Sequence, residues 1–165
     1  MGLRVVLDHL KPGFNAGKIF RSADAFGVRQ VLLVGMPYFD PGPAVGSFKH
    51  VPARFYPSFG EAHAALKAEG VPIFNLEPEA QRALPGAELP FDCALVLGNE
   101  GLGQSFSRTE FPDVGALRIP QWGRAQSLNV SVAAALGMYE YCRRWGKDPG
   151  PVGRADRNRG KHAQP

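Results

Sequence analysis

The stretch Ala94-Leu95-Val96-Leu97-Gly98-Asn99-Glu100-Gly101-Leu102-Gly103 decides how this chain is read. Its first four residues are an apolar run of strand length. The glycines at 98, 101 and 103 then turn the chain at the strand's C-terminal end. The pattern returns in Ala116-Leu117-Arg118-Ile119, a short strand that stops at Pro120 and leads to the polar run Ser127-Leu128-Asn129. In open α/β sheets, ligands bind outside the C-terminal ends of the strands, and glycine lets a backbone approach a ligand closely. The spacing here is G-x-x-G-x-G, not the dinucleotide pattern G-x-G-x-x-G, which disfavours a Rossmann site.

Outward from this stretch, strands alternate with helices. Arg4 to Leu7 reads as a first strand. Asn15 is a good N-cap residue, and a helix follows to Phe26 with Ile19, Ala23 and Phe26 on one face. Gly27 stops it. Gln30 to Val34 and Ala53 to Tyr56 read as strands around a loop rich in proline and glycine. Ser58-Phe59-Gly60-Glu61 is a capping box opening a helix to Glu69. Val71 to Leu76 is a further strand, residues 77–92 carry no clear pattern, and a last helix is expected from Ser127 to Trp145. This alternation predicts an α/β fold with a mostly parallel sheet and flanking helices. One domain is expected over residues 1–146, followed by a basic, flexible tail over 147–165.

Composition narrows the classes. The 165 residues carry 44% hydrophobic and 21% charged side chains, ordinary values for a globular protein. No apolar run reaches bilayer length. No basic segment followed by an apolar one opens the chain, so a cytoplasmic location is expected. Cys93 and Cys142 are not in a C-x-x-C pair and read as reduced core or near-core thiols. The histidines are scattered at 9, 50, 63 and 162, so no metal site is expected. The net charge of +4 is uneven. Arg143, Arg144, Lys147, Arg154, Arg157, Arg159 and Lys161 face only Asp148 and Asp156 after residue 142. A basic end on a near-neutral body suits contact with phosphates; a merely solubilising end is the alternative.

Three segments together carry a family resemblance. They are Asn15-Ala16-Gly17-Lys18-Ile19-Phe20-Arg21-Ser22-Ala23-Asp24-Ala25-Phe26-Gly27-Val28, the Leu97–Gly103 turn, and Arg118-Ile119-Pro120 through Ser127-Leu128-Asn129-Val130-Ser131. In this order they resemble the motifs of the SpoU (TrmH-type) RNA ribose 2′-O-methyltransferases. One position departs from the pattern: Gln121 stands where the family often has Met. The resemblance implies a SPOUT-type fold with a C-terminal trefoil knot, a homodimer, S-adenosyl-L-methionine as cofactor and structured RNA as substrate. Because Asn15 lies so near the start, with no room before it for a separate RNA-binding domain, transfer RNA is favoured over ribosomal RNA. A non-catalytic RNA-binding protein of the same fold is the rival reading, and a methyltransferase acting on a base or small molecule is a second.

By the same resemblance, Asn15, Arg21, Glu100, Ser127 and Asn129 are the candidate catalytic residues. Leu76, Gly98, Ile119, Ser127 and Leu128 are the candidate cofactor contacts. Arg21 follows Ile19 by about 200° around the helix and so faces away from the apolar side. Its permanently charged fork of donors suits a developing alkoxide or a phosphate, though a surface salt bridge is also possible on spacing alone. Glu100 is expected to pair with Arg21 and fix its plane. Asn15 and Ser127 serve equally well as plain N-caps. Asn129-Val130-Ser131 matches a glycosylation pattern by chance. The small residues Ala133-Ala134-Ala135 and Gly137 suit either core packing or a contact with a second copy.

Overall fold

The computed structural model describes residues 1–147 and Gly150; the rest of the expected tail lies outside the described residues. The elements are β1 (Gly2–Asp8), α1 (Phe14–Ala25), β2 (Gln30–Val34), β3 (Ala53–Tyr56), α2 (Phe59–Ala68), β4 (Ile73–Leu76), β5 (Asp92–Leu97), β6 (Gly115–Leu117) and α3 (Val130–Trp145). Two short 3₁₀ turns, Gly42–Ala44 and Ser47–Lys49, lie between β2 and β3. The strands form one parallel sheet in the order β3-β2-β1-β5-β4-β6.

The two-residue period of each strand divides the core. Leu3, Val5, Leu7, Val31, Leu33, Cys93, Leu95 and Leu97 point to the face covered by α1 and α3. Val6, Leu32, Val34, Ala94 and Val96 point to the other, covered by α2 through Phe59, Ala62 and Leu66. Both faces are buried, which is why the central strands are continuously apolar rather than alternating. Each such Val or Leu contributes about 1.5–3 kcal/mol by leaving water. Burial also pushes the Cys93 thiol up to about 12, helped by the Asp92 charge and opposed by Arg4, so it stays an inert thiol.

Helix ends show where local signals held. Ser58 caps α2 by accepting from the Glu61 N–H at 3.4 Å, the expected capping box. The cap of α1 is Gly13, which puts Asn15 inside the first turn and frees its side chain. The last helix starts at Val130, with Asn129 as its cap rather than Ser127. Asn129 Oδ1 accepts from the Ser131 N–H at 2.9 Å and from the Ser131 hydroxyl at 2.6 Å.

Residues 77–91, patternless in the sequence, are tied down by backbone and side-chain bonds that periodicity does not report. Ala83 pairs with Arg118 beyond the end of β6. The Arg118 guanidinium donates to the Ala80 carbonyl at 3.1 Å and also to that of Gln81. The fully buried Tyr141 of α3 donates its hydroxyl to the Phe91 carbonyl at 2.5 Å and accepts from the Gly2 N–H at 3.0 Å. Trp145 Nε1 donates to the Leu89 carbonyl at 2.9 Å. The C-terminal half of α3 is thus anchored to the segment that leads into β5.

Candidate active site

The C-terminal ends of β4 and β5 and the chain after β6 enclose a cavity of about 530 Å³. Leu76, Gly98, Ile119, Ser127 and Leu128, the candidate cofactor contacts, all line it. So do Glu100 and Asn129. The volume lies within the usual range for a small-molecule site.

Gly98 is fixed by the fold as much as by any ligand. A Cβ there would sit 2.5 Å from the Gln104 nitrogen and 2.6 Å from the Gly103 oxygen. The turn is closed by the Asn99 N–H to Gly103 carbonyl bond at 2.6 Å and its reciprocal at 2.9 Å. Gly103 adopts φ +74°, a left-handed conformation that favours glycine. Asn99 Oδ1 accepts from the Gly101 and Leu102 N–H groups at 2.9 and 3.1 Å, and its Nδ2 donates to the His9 carbonyl at 2.7 Å. Asn99 therefore shapes the turn and ties it to the end of β1. Its place at the head of a glycine turn was the available signal.

A hydrogen-bond relay crosses the mouth of the cavity. Asn129 Nδ2 donates to Asn15 Oδ1 at 3.3 Å, and Asn15 Nδ2 donates to Glu100 Oε1 at 2.8 Å. Glu100 Oε2 also accepts from the Lys11 N–H at 3.3 Å. Burial raises the Glu100 pKa, but the bonds from Asn15, its own N–H and Lys11, with the Lys11 charge, outweigh it and hold the carboxyl below the usual range. One residue from each of three distant segments meets here.

The expected Glu100–Arg21 pair is not formed. Glu100 lies on the Asn15 and Lys11 side, near the start of α1, and Arg21 is about 9 Å further along the helix by its rise. Arg21 is exposed, lies outside the cavity wall, and has no ion pair or hydrogen bond among the described residues. The Ser127 hydroxyl is exposed at the cavity and likewise bonds no protein group among them.

Further residues line the cavity beyond the candidates, Gln121 and Gln126 within the third motif segment and the others outside the motifs. Glu77, Glu79, Gln104, Gln121 and Gln126 face the cavity. Glu77 accepts from Asn75 Nδ2 at 2.8 Å and from Gln104 Nε2 at 3.3 Å, with Arg108 at 3.4 Å. Asp8, fully buried at the end of β1, accepts from the Ser105 N–H at 2.5 Å and the Ser105 hydroxyl at 2.8 Å. That carboxylate pins the chain just beyond the glycine turn. An acidic residue closing an apolar strand was its only mark in the sequence. Among the described residues, no cluster of His, Cys, Asp and Glu is arranged to hold a metal, and no helix is long and apolar enough to cross a membrane.

The model of the SpoU rRNA Methylase family matches residues 2–139, which takes in every segment of this site. The chain belongs to the SpoU family. It is similar to the 23S rRNA (guanosine-2'-O-)-methyltransferase RlmB of Coxiella burnetii, with 36% identity over 143 residues, 84% of this chain and 57% of that one. Among solved structures, it is similar to the AdoMet-bound rRNA methyltransferase from Sinorhizobium meliloti (TM-score 0.74, 26% identity, 86% of this chain and 56% of that one). It is also similar to a structure solved for insight into the 2-OH methylation of C/U34 on tRNA (TM-score 0.76, 27% identity, 88% and 97%). The chain spans about half the length of the curated SpoU relatives it matches.

Proposed function

We propose that this SpoU chain is an S-adenosyl-L-methionine-dependent RNA methyltransferase that methylates a ribose 2′-hydroxyl. It acts as a cytoplasmic homodimer on structured RNA, with transfer RNA favoured over ribosomal RNA. The observation that carries this reading is the Asn129–Asn15–Glu100 relay at the mouth of the cavity. The similarity over nearly the full length of a structure concerned with tRNA 2-OH methylation supports the substrate preference.

The cavity suits the cofactor chemically. Leu76, Leu97, Ile119 and Leu128 offer apolar surface for a purine, while Glu77, Glu79 and Glu100 supply negative charge for a sulfonium and an ammonium group. Gly98, Ile119, Ser127 and Leu128 would hold it at the strand ends. When bound, the cofactor supplies an electrophilic methyl group. The chain's own residues then have two tasks: to place the 2′-oxygen and to favour its developing charge. Asn15 and Asn129, oriented through the relay, position the ribose, and the exposed Ser127 hydroxyl is free to bond it. Arg21, outside the cofactor wall, meets the RNA. It stabilises the developing alkoxide or grips a neighbouring phosphate. A guanidinium with pKa above 12 has almost no free base at pH 7, so water or an RNA phosphate takes the proton.

The proposed fold includes a trefoil knot. In its support, the chain leaves β6 at the sheet edge and returns to α3, which packs on α1 and β5 in the middle of the sheet. The segment 147–165 is proposed as a basic arm that contacts RNA phosphates.

The deciding experiment pairs calorimetry with S-adenosylmethionine and mapping of ribose methylation in RNA. The Arg21→Ala variant is expected to keep its cofactor affinity within a few-fold and lose about 10²–10³ in rate. No cofactor binding by the unaltered protein would favour a non-catalytic RNA-binding protein. Methylation mapped to a base atom would overturn the ribose assignment.

A further inference from the structure

The two tryptophans of this chain are treated in opposite ways. Trp145 is built into the fold: it donates to Leu89, meets Phe91 edge-on at 5.7 Å and lies under the Arg144 guanidinium at 5.3 Å. Trp122 is 92% exposed, the barest large apolar side chain among the described residues, and has no ring contact or hydrogen bond there. Leu102, at 88%, comes next. Both sit on loops that wall the cavity. Trp122 follows the lining residue Gln121, and Leu102 lies between the lining residues Gly101 and Gly103. Folding gives no reason for a bare indole at this place.

We propose that Trp122 is the stacking platform for an unpaired nucleobase of the RNA substrate, beside the nucleotide whose ribose enters the cavity. The proposal rests on the RNA methyltransferase reading above. Single-stranded loops and splayed bases are recognised by stacking on aromatic side chains, and every base offers a π-face. Arg124, exposed and unpaired among the described residues, stands two residues away to meet a flanking phosphate. A second copy of the chain is the competing occupant. The setting argues against it: the chain neighbours Gln121, Gly123, Arg124, Ala125 and Gln126 are polar or small. The outward face of α3, with Val132, Leu136 and Tyr139, is the continuous apolar stripe that a second copy would need.

The test uses fluorescein-labelled oligoadenylate, single-stranded and in duplex with oligouridylate, against the full chain and its Trp122→Ala, Trp122→Phe and Arg124→Ala variants. Thermal melting confirms that each is folded. Trp122→Ala is expected to bind the single strand about 10-fold or more weakly, with duplex binding, cofactor affinity and salt slope unchanged. Trp122→Phe is expected to restore most of the loss. Arg124→Ala is expected to lower the salt slope by about 0.7, the single-strand value for one phosphate contact. With a methylatable RNA, Trp122→Ala is expected to raise KM and leave kcat near its original value. Equal affinity of Trp122→Ala and the unaltered protein for the single strand overturns the proposal. So does a loss of dimer in Trp122→Ala by sedimentation, which would assign the indole to a second copy. An unaltered protein that binds neither cofactor nor RNA overturns the methyltransferase reading itself, and that result is recognised before any variant is compared.

Discussion

Two residues of the glycine turn do different work, although they are neighbours. Gly98 has no room for a side chain because its own loop lies against it, 2.5 Å from where a Cβ would stand. Gly98→Val is therefore expected to lower the melting temperature sharply, whatever it does to the ligand. Loss of cofactor affinity in that variant is not clean evidence of a contact. Asn99 gives a cleaner reading. Asn99→Ala removes the acceptor of two backbone N–H groups and the donor to His9. These bonds are exposed, so the stability cost is expected to be about 1–2 kcal/mol, while cofactor affinity falls because the turn loses its shape. Calorimetry beside thermal melting separates the two effects, and unchanged affinity in a folded Asn99→Ala would detach the turn from cofactor binding.

The elements bear on each other through their ends. Asn129 is both the cap of α3 and the first member of the relay. Asn129→Ala is expected to cost about 1 kcal/mol of stability through the cap and most of the activity through the relay. Asn129→Asp keeps the capping oxygen and removes the donor to Asn15, so it is expected to restore the stability and leave activity low. Recovery of both by the aspartate would reduce Asn129 to a cap. Similarly, α2 is tied to the chain before β6 by Asp113, which sits 3.0 Å from His63 Nε2 and accepts from Lys67 at 2.9 Å. The Lys67 bond leads, burial opposes it, and His63 adds to it, bringing Asp113 down from 3.8 to about 2. A depressed carboxyl stabilises above its unfolded pKa and loses that contribution as pH falls through its folded one. Asp113→Asn is thus expected to be less stable at neutral pH, by at most about 1 kcal/mol for so exposed a pair. The difference should close as pH falls from 3.8 towards 2, as melting curves at several pH values would show. The sequence exposed the elements that rest on local chemistry: the capping box at Ser58, the apolar runs of β2 and β5, and the parallel sheet they imply. It misplaced the caps of α1 and α3: Asn15 and Ser127 are good cap residues, but Asn15 is drawn into the relay and Ser127 stands ahead of the helix start with its hydroxyl at the cavity. It also missed Glu77 and Asp8, whose partners lie 27 and 97 residues away, at Gln104 and Ser105. Likewise, the resemblance paired Glu100 with Arg21, whereas Glu100 is joined to Asn15 at 2.8 Å.

At the scale of the whole molecule, the proposed homodimer needs a face to form on, and the exposed side of α3 offers one. Of the small residues that suggested a contact, Ala134 and Gly137 face inward, whereas Ala133 and Ala135 are half-buried. Ala134 is buried, and a Cβ on Gly137 would stand 3.0 Å from Leu95 Cδ1 and 3.2 Å from Leu76 Cδ1. They let the helix sit close to its own sheet. The outward stripe is Val132, Leu136 and Tyr139, at positions i, i+4 and i+7 of one face, and Tyr139 continues it onto Phe26 of the neighbouring loop with ring centres 6.3 Å apart. An exposed apolar stripe with this spacing is the kind of surface that a two-fold interface covers with itself, so that a residue near the axis meets its own copy. Leu136→Glu would then set two carboxylates against each other in a drying interface, which costs far more than the apolar area lost. The variant is expected to sediment as a folded monomer at concentrations where the unaltered protein is a dimer. Ala134→Glu and Gly137→Glu are expected to lose the folded state altogether, because each would force a charge into the core. If Leu136→Glu remained a dimer, the interface would lie on another face; an unaltered protein that sedimented as a monomer would remove the homodimer, and with it any need for α3 to carry an apolar stripe for a partner.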